Sequence, residues 1–167
     1  NLAGAIHALI QAIVLFLTRR GNRRAHRYMA LFLLAVAIGM ANGTVTLLGI
    51  YDRWPGLAIV MGSIVLTFFP LFYLYIRATT AGDARGGFLD ILHGVPFLLG
   101  AFAWSAHFLW SGDGRGAPGI EGFLVRSPWS FVLIAAVLQS VAYITGIVRL
   151  LRKHAARVKA AYSTIEA

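Results

Sequence analysis

Two histidines, His7 and His107, lie within separate apolar runs of the chain, and imidazole is the side chain best suited to ligate haem, hold a small ligand or pass a proton near neutral pH. They form the one pair expected at matching depth. A lone histidine in such a run more often bonds a neighbouring helix, and no bound cofactor is expected. Gln11, Asn42 and Gln139 are amides in the same kind of setting, where an unsatisfied group costs several kcal/mol, so all three are expected to point inward. They serve there either as packing glue or, with His7 and His107, as the lining of an outward-facing ligand pocket. Asp90 and His93 stand one turn apart, a spacing that suits a shared metal. An ion pair between Asp90 and Arg77 or Arg85 is the favoured reading, and no metal site is expected.

No catalytic arrangement is legible. The chain has no G-x-S-x-G, H-E-x-x-H or P-loop pattern, and Gly62-Ser63 has no evident His or Lys partner at its depth. Both lysines, Lys153 and Lys159, follow the last apolar run, so a Schiff-base lysine within a span is excluded. With no Cys, disulfides and thiolate chemistry are excluded too. The chain is therefore expected not to be an enzyme. No carboxylate for ion coupling and no repeat of runs is visible, which disfavours transport without excluding it.

The elements that position these residues follow from hydropathy. With 59% hydrophobic and 13% charged residues and a mean hydropathy of +0.74, the chain has too little polar surface to coat a water-soluble globule. Five apolar runs are long enough, at roughly 20 residues per helix, to cross a bilayer: Leu2 to Thr18, Tyr28 to Ile50, Leu57 to Ile76, Phe88 to Trp110 and Trp129 to Leu151. They are continuously apolar, so the expected fold is an all-α polytopic bundle and not a β-barrel. Residues 1–151 form the bundle and 152–167 a basic amphipathic juxtamembrane segment.

Charge gives the orientation. Connections after runs one, three and five carry Arg19, Arg20, Arg23, Arg24, Arg27, Arg77, Arg85, Arg149, Arg152, Lys153, Arg157 and Lys159, against Arg53, Arg115 and Arg126 on the other side. Twelve against three places the N-terminus outside and the last residues in the cytoplasm. Trp54, Trp104, Trp110 and Trp129 fall at the outer interface, and Tyr28, Tyr73 and Tyr75 at the inner one. The net charge of +9 is thus a topogenic signal, with anionic lipid headgroups as its natural partners. The first run is expected to remain as a span, because its basic residues follow the apolar stretch where a signal peptide has them in front. The start at Asn1 without Met suggests a piece of a longer protein.

Within the runs, Gly39 and Gly43 permit close helix packing, and Pro70 and Pro96 are expected to kink runs three and four. From the end of run five, Leu151, Ala155, Val158, Tyr162 and Ile165 recur at spacings of four and three, with Arg152, Lys153, Arg157 and Lys159 on other faces and Arg149 just before them. Run five is expected to continue into this helix, lying on anionic lipid or pairing with a second copy of the chain, and to transmit movement. The Gly-rich segment Ser111 to Pro128 connects runs four and five on the outer side.

Four stretches carry a family likeness: Arg19 to Leu34, Pro70-Leu-Phe-Tyr-Leu-Tyr-Ile-Arg77, His93-Gly-Val-Pro-Phe-Leu-Leu99 and Arg149 to Glu166. Together they resemble the membrane-embedded N-terminal region of bacterial AraC-type transcriptional regulators. Similar multi-span regions precede histidine kinases. In such regulators the Tyr-Ser-x-x-Glu element, here Tyr162 to Glu166, leads into two further spans and a cytoplasmic helix-turn-helix module. The resemblance implies a seven-span domain in a bacterial inner membrane, an unknown small ligand, and contact with DNA only through a part absent from this sequence. The reading from a different class is a small transporter or a haem- or quinone-binding membrane subunit.

Overall fold

The computed structural model describes residues 1–80, 88–111 and 129–163, and these are helical almost throughout, with no strand. Helix α1 spans Leu2–Leu17 and α2 spans Arg23–Leu47. A short α3, Ile50–Arg53, leads to α4 at Pro55–Ser63, a 3₁₀ turn at Ile64–Thr67 and α5 at Phe68–Thr80. A 3₁₀ segment, Phe88–Gly94, precedes α6 at Val95–Ser111, and α7 runs from Trp129 to Ser163. Helix α1 lies along α2, α2 along α5, α5 along α7, and α4 along α6. The broken α4–α5 helix is therefore the hub.

Local chemistry sets the boundaries. Gly21, at φ +75°, makes the turn after α1, and Asn22 caps α2 by accepting the Ala25 N–H at 3.1 Å. Helix α2 accordingly starts at Arg23, five residues before the run expected from hydropathy, and takes Arg23, Arg24 and Arg27 into its first turns. Cations at a helix N-terminus cost a few tenths to about 1 kcal/mol each. That is small beside the roughly 2.5–3.5 kcal/mol for an arginine at the centre of a membrane helix, so hydropathy overrides the dipole.

The third run is corrected in its interior. The helix breaks into a 3₁₀ turn at Ile64–Thr67, ahead of Pro70, which sits buried in the first turn of α5. Pro70 has no N–H to offer the Leu66 carbonyl four residues back, and its ring would press on that carbonyl, so the disturbance falls N-terminal to the proline. Likewise, Pro96 opens α6, and the fourth run is 3₁₀ from Phe88 to Gly94 before becoming α-helical. The fifth run continues without a break to Ser163. At 1.5 Å per residue α7 is about 52 Å long, about 20 Å more than a hydrocarbon core of about 30 Å.

Packing uses small residues inside and large ones outside. Ala5, Ala8 and Ala12 of α1 are buried, as are Ala25, Ala30, Ala35 and Ala37 of α2, while Ile6, Ile10, Ile13 and Phe16 are at least half exposed. Water-soluble folds sort these residues the other way, whereas helix contacts in lipid favour small side chains. Gly39 admits the Phe68 ring, at 3.1 Å from where a Cβ would lie, and Gly62 admits the Trp104 indole at 3.0 Å. Gly43, expected to share the packing face, has only Asn1 near it at an ordinary 3.7 Å. Among the described residues three segments are long and apolar enough to cross a membrane: Arg23–Leu47, Gly56–Thr80 and Ile134–Tyr162. Leu2–Leu17 is apolar but shorter.

Candidate functional site

The 3₁₀ segment before α6 is a meeting point of polar contacts from three other helices. Its Asp90 carboxylate pairs through Oδ1 with Arg77 of α5, and its Oδ2 accepts a 2.6 Å hydrogen bond from the Tyr28 hydroxyl of α2. Residues three apart eclipse one another in a 3₁₀ helix, so His93 projects from the same side as Asp90. Its Nδ1 lies 2.7 Å from the Tyr143 hydroxyl of α7, and the rings of Tyr73, His93 and Tyr143 stand with centroids 5.4–5.6 Å apart. Gly146, one turn beyond Tyr143, leaves room for Tyr73, whose ring is 3.2 Å from the position of a Cβ there. Four elements are thus joined by one carboxylate and one imidazole. The ion pair expected between Asp90 and Arg77 is present. Asp90 and His93 bond different partners, and among the described residues no three His, Asp or Glu side chains are grouped to hold a metal.

The C-terminus of α5 is capped in trans. The Asn22 amide donates to the Ala78 carbonyl at 2.7 Å, and the Arg157 guanidinium of α7 donates to the Thr80 carbonyl, also at 2.7 Å. Terminal helix carbonyls lack intrahelical partners and carry the negative end of the dipole, so an amide and a cation are suited to them. Helical side chains lean toward the N-terminus, which lets Arg157 reach back toward the level of Thr80. Near mid-bundle, Gln139 of α7 donates to the Leu66 carbonyl at 2.8 Å. This is the carbonyl to which Pro70 has no N–H to donate. The amide of one helix repairs the backbone defect of another.

The opposite end is bonded over short distances in sequence. Tyr51 donates to Asn42 Oδ1 and lies 3.3 Å from Met61 Sδ, and burial pushes the Tyr51 phenol up from its ordinary pKa. His7 Nε2 and Gln11 Nε2 are 2.9 Å apart on the exposed face of α1. Gln11 was expected to point inward and does not; His7, one turn away, satisfies the amide locally, removing the cost that would have driven it inside. Of the five residues considered for a ligand pocket, His7 and Gln11 bond each other, Asn42 bonds Tyr51 and Gln139 bonds Leu66. The His107 side chain lies outside the described residues, so its pairing with His7 does too. The same holds for Arg85, Arg115, Arg126, Ile165, Glu166 and residues 112–128.

Several participants were missed by sequence reasoning. Asn22 carried a usable signal, an N-cap residue directly before a long periodic run. Leu66 carried one as well, since a proline within a helical run withholds the α-helical donor from the carbonyl four residues earlier. Tyr143, 50 residues from His93, carried none, and Tyr28, expected at the inner interface, carried none for its bond to Asp90, 62 residues away.

The fold and this lattice define an all-helical protein with long apolar helices compatible with a membrane, tied at one end by polar contacts between helices. No protein-family model, curated protein or solved structure matches the chain.

Proposed function

We propose that this chain is the membrane-embedded sensory and anchoring domain of a signalling protein, with its N-terminus outside and its basic end in the cytoplasm of a bacterial cell. Five spans cross the membrane here as part of a seven-span domain. The observation that carries the reading is α7: an unbroken helix from Trp129 to Ser163 that leaves the bundle as a basic tail. Among the described residues only Ile147 of its apolar side chains is buried, so polar clasps at Gln139, Tyr143 and Arg157 contribute much of what fixes it to its neighbours. A stimulus that shifts α5 or the segment around His93 would move α7 as a rod and carry the displacement to whatever follows.

The resemblance to AraC-type regulators selects a DNA-binding output over a kinase. Ligand recognition is assigned to the outer half of the bundle, where the hydrogen bonds among the described residues are short in sequence. Reading the native gene beyond Ala167 tests the assignment: two more apolar spans and a helix-turn-helix are expected, and a stop codon there would overturn it.

A further inference from the structure

The basic residues at one end of the bundle form two groups facing a common element. Arg19, Arg20, Arg23 and Arg27 are exposed on the α1–α2 hairpin, and Arg152 and Lys153 on the α7 tail. The bonds from Asn22 to Ala78 and from Arg157 to Thr80 bring these groups to the last turn of α5 from two different neighbours. Among the described residues the acid at this end is Asp90, and its two oxygens are committed to Arg77 and Tyr28. Helix α2 has no acid in its first turn, so the positive end of its dipole adds to the arginines around it. The described structure thus gathers like charges from the α1–α2 hairpin and α7, and the acid described at this end is already committed to Arg77 and Tyr28.

An anion held at a membrane surface would relieve that repulsion. Arginine predominates on the hairpin, and its planar fork matches phosphate oxygens two at a time. We propose that this end of the bundle is a binding site for anionic glycerophospholipid headgroups, which bridge the α1–α2 hairpin and the α7 tail and hold the tail against α5. Lipid charge then sets how freely the tail moves. The proposal rests on the membrane reading of the fold, not on the sensory role.

The test is hydrogen exchange of the purified chain in nanodiscs of phosphatidylcholine, with and without phosphatidylglycerol. Nanodiscs leave both faces accessible, so altered insertion does not confound the variants. Phosphatidylglycerol is expected to slow exchange in residues 19–27 and 152–163 by roughly five-fold or more. Replacing Arg19, Arg20 and Arg23 together by Gln abolishes the difference, whereas Lys at the same positions retains part of it and Asp52→Asn, near the other end, retains all of it. Equal exchange of the unmodified chain in the two lipids would overturn the proposal, whatever the variants do. Slowing confined to the hairpin would overturn the bridge, and slowing by inorganic phosphate in phosphatidylcholine alone would replace the headgroup by a free anion. A stop codon after Ala167 would remove the sensory reading and leave this result untouched.

Discussion

The two ends of the bundle are built on different principles. At the basic end, hydrogen bonds join residues 50, 56, 62 and 77 positions apart and tie α2, α5, the segment before α6 and α7 to one another. At the other end, the bonds described link His7 to Gln11, Thr46 to Asn42 and Tyr51 to Asn42 or Met61, none spanning more than ten positions. Short-range bonds stiffen a helix or a turn but do not hold helices together. Among the described residues the basic end is therefore the one whose helices are tied by long-range hydrogen bonds.

Asp90→Asn should break this comparison most severely. It removes the charge paired with Arg77 and weakens the Tyr28 bond, and a partly buried arginine left alone should cost about 2–4 kcal/mol, read as a lowered unfolding midpoint in detergent. Asp52→Asn, near the opposite end, should change the same midpoint by less than about 0.5 kcal/mol. Equal effects would mean that the ends do not differ.

Gln139→Leu should cost less, about 1–2 kcal/mol, by stranding the Leu66 carbonyl. Pro70→Ala restores a backbone donor to that carbonyl, so the double variant should recover part of the loss, and a double-mutant cycle should show coupling of about 0.5–1 kcal/mol. Strict additivity would mean that the amide does not repair the proline defect. Arg157→Gln should be smaller still in stability, about 0.5–1 kcal/mol, but should speed hydrogen exchange in the α7 tail while leaving α1 unchanged. The smallest effect is expected for Gln11→Leu, within about 0.5 kcal/mol, because its partner His7 is itself exposed.

The same contrast explains what the sequence could disclose. Helix class and most run boundaries follow from hydropathy, a property of consecutive residues, and α1 ends within one residue of its expected limit at Thr18. Deviations arise where one residue acts on another a turn away, as when Asn22 draws α2 back to Arg23 or Pro70 displaces the break to Ile64–Thr67. The lattice was legible only in part. Arg77 was a foreseeable partner for Asp90 because both lie at the ends of neighbouring runs, 13 residues apart. Tyr28 and Tyr143 reach their partners through helix packing, which depends on which small residues meet, Gly146 with Tyr73 for one, and a single sequence does not pair them. Gln11 misled for a related reason: the inward rule assumes that a polar group has no local partner, and His7 is one.

Sidedness is the claim on which the rest depends, and the absence of Cys from the chain makes it directly measurable. Single cysteines placed at Asp52, Arg20 and Lys159 would be probed with a membrane-impermeant maleimide on intact cells and again after permeabilisation. Labelling of Asp52→Cys in intact cells, with Arg20→Cys and Lys159→Cys reacting only after permeabilisation, is the predicted result. Labelling of the hairpin or tail cysteine in intact cells would contradict a cytoplasmic basic end, and with it the path from an outer stimulus through α7 to an inner effector.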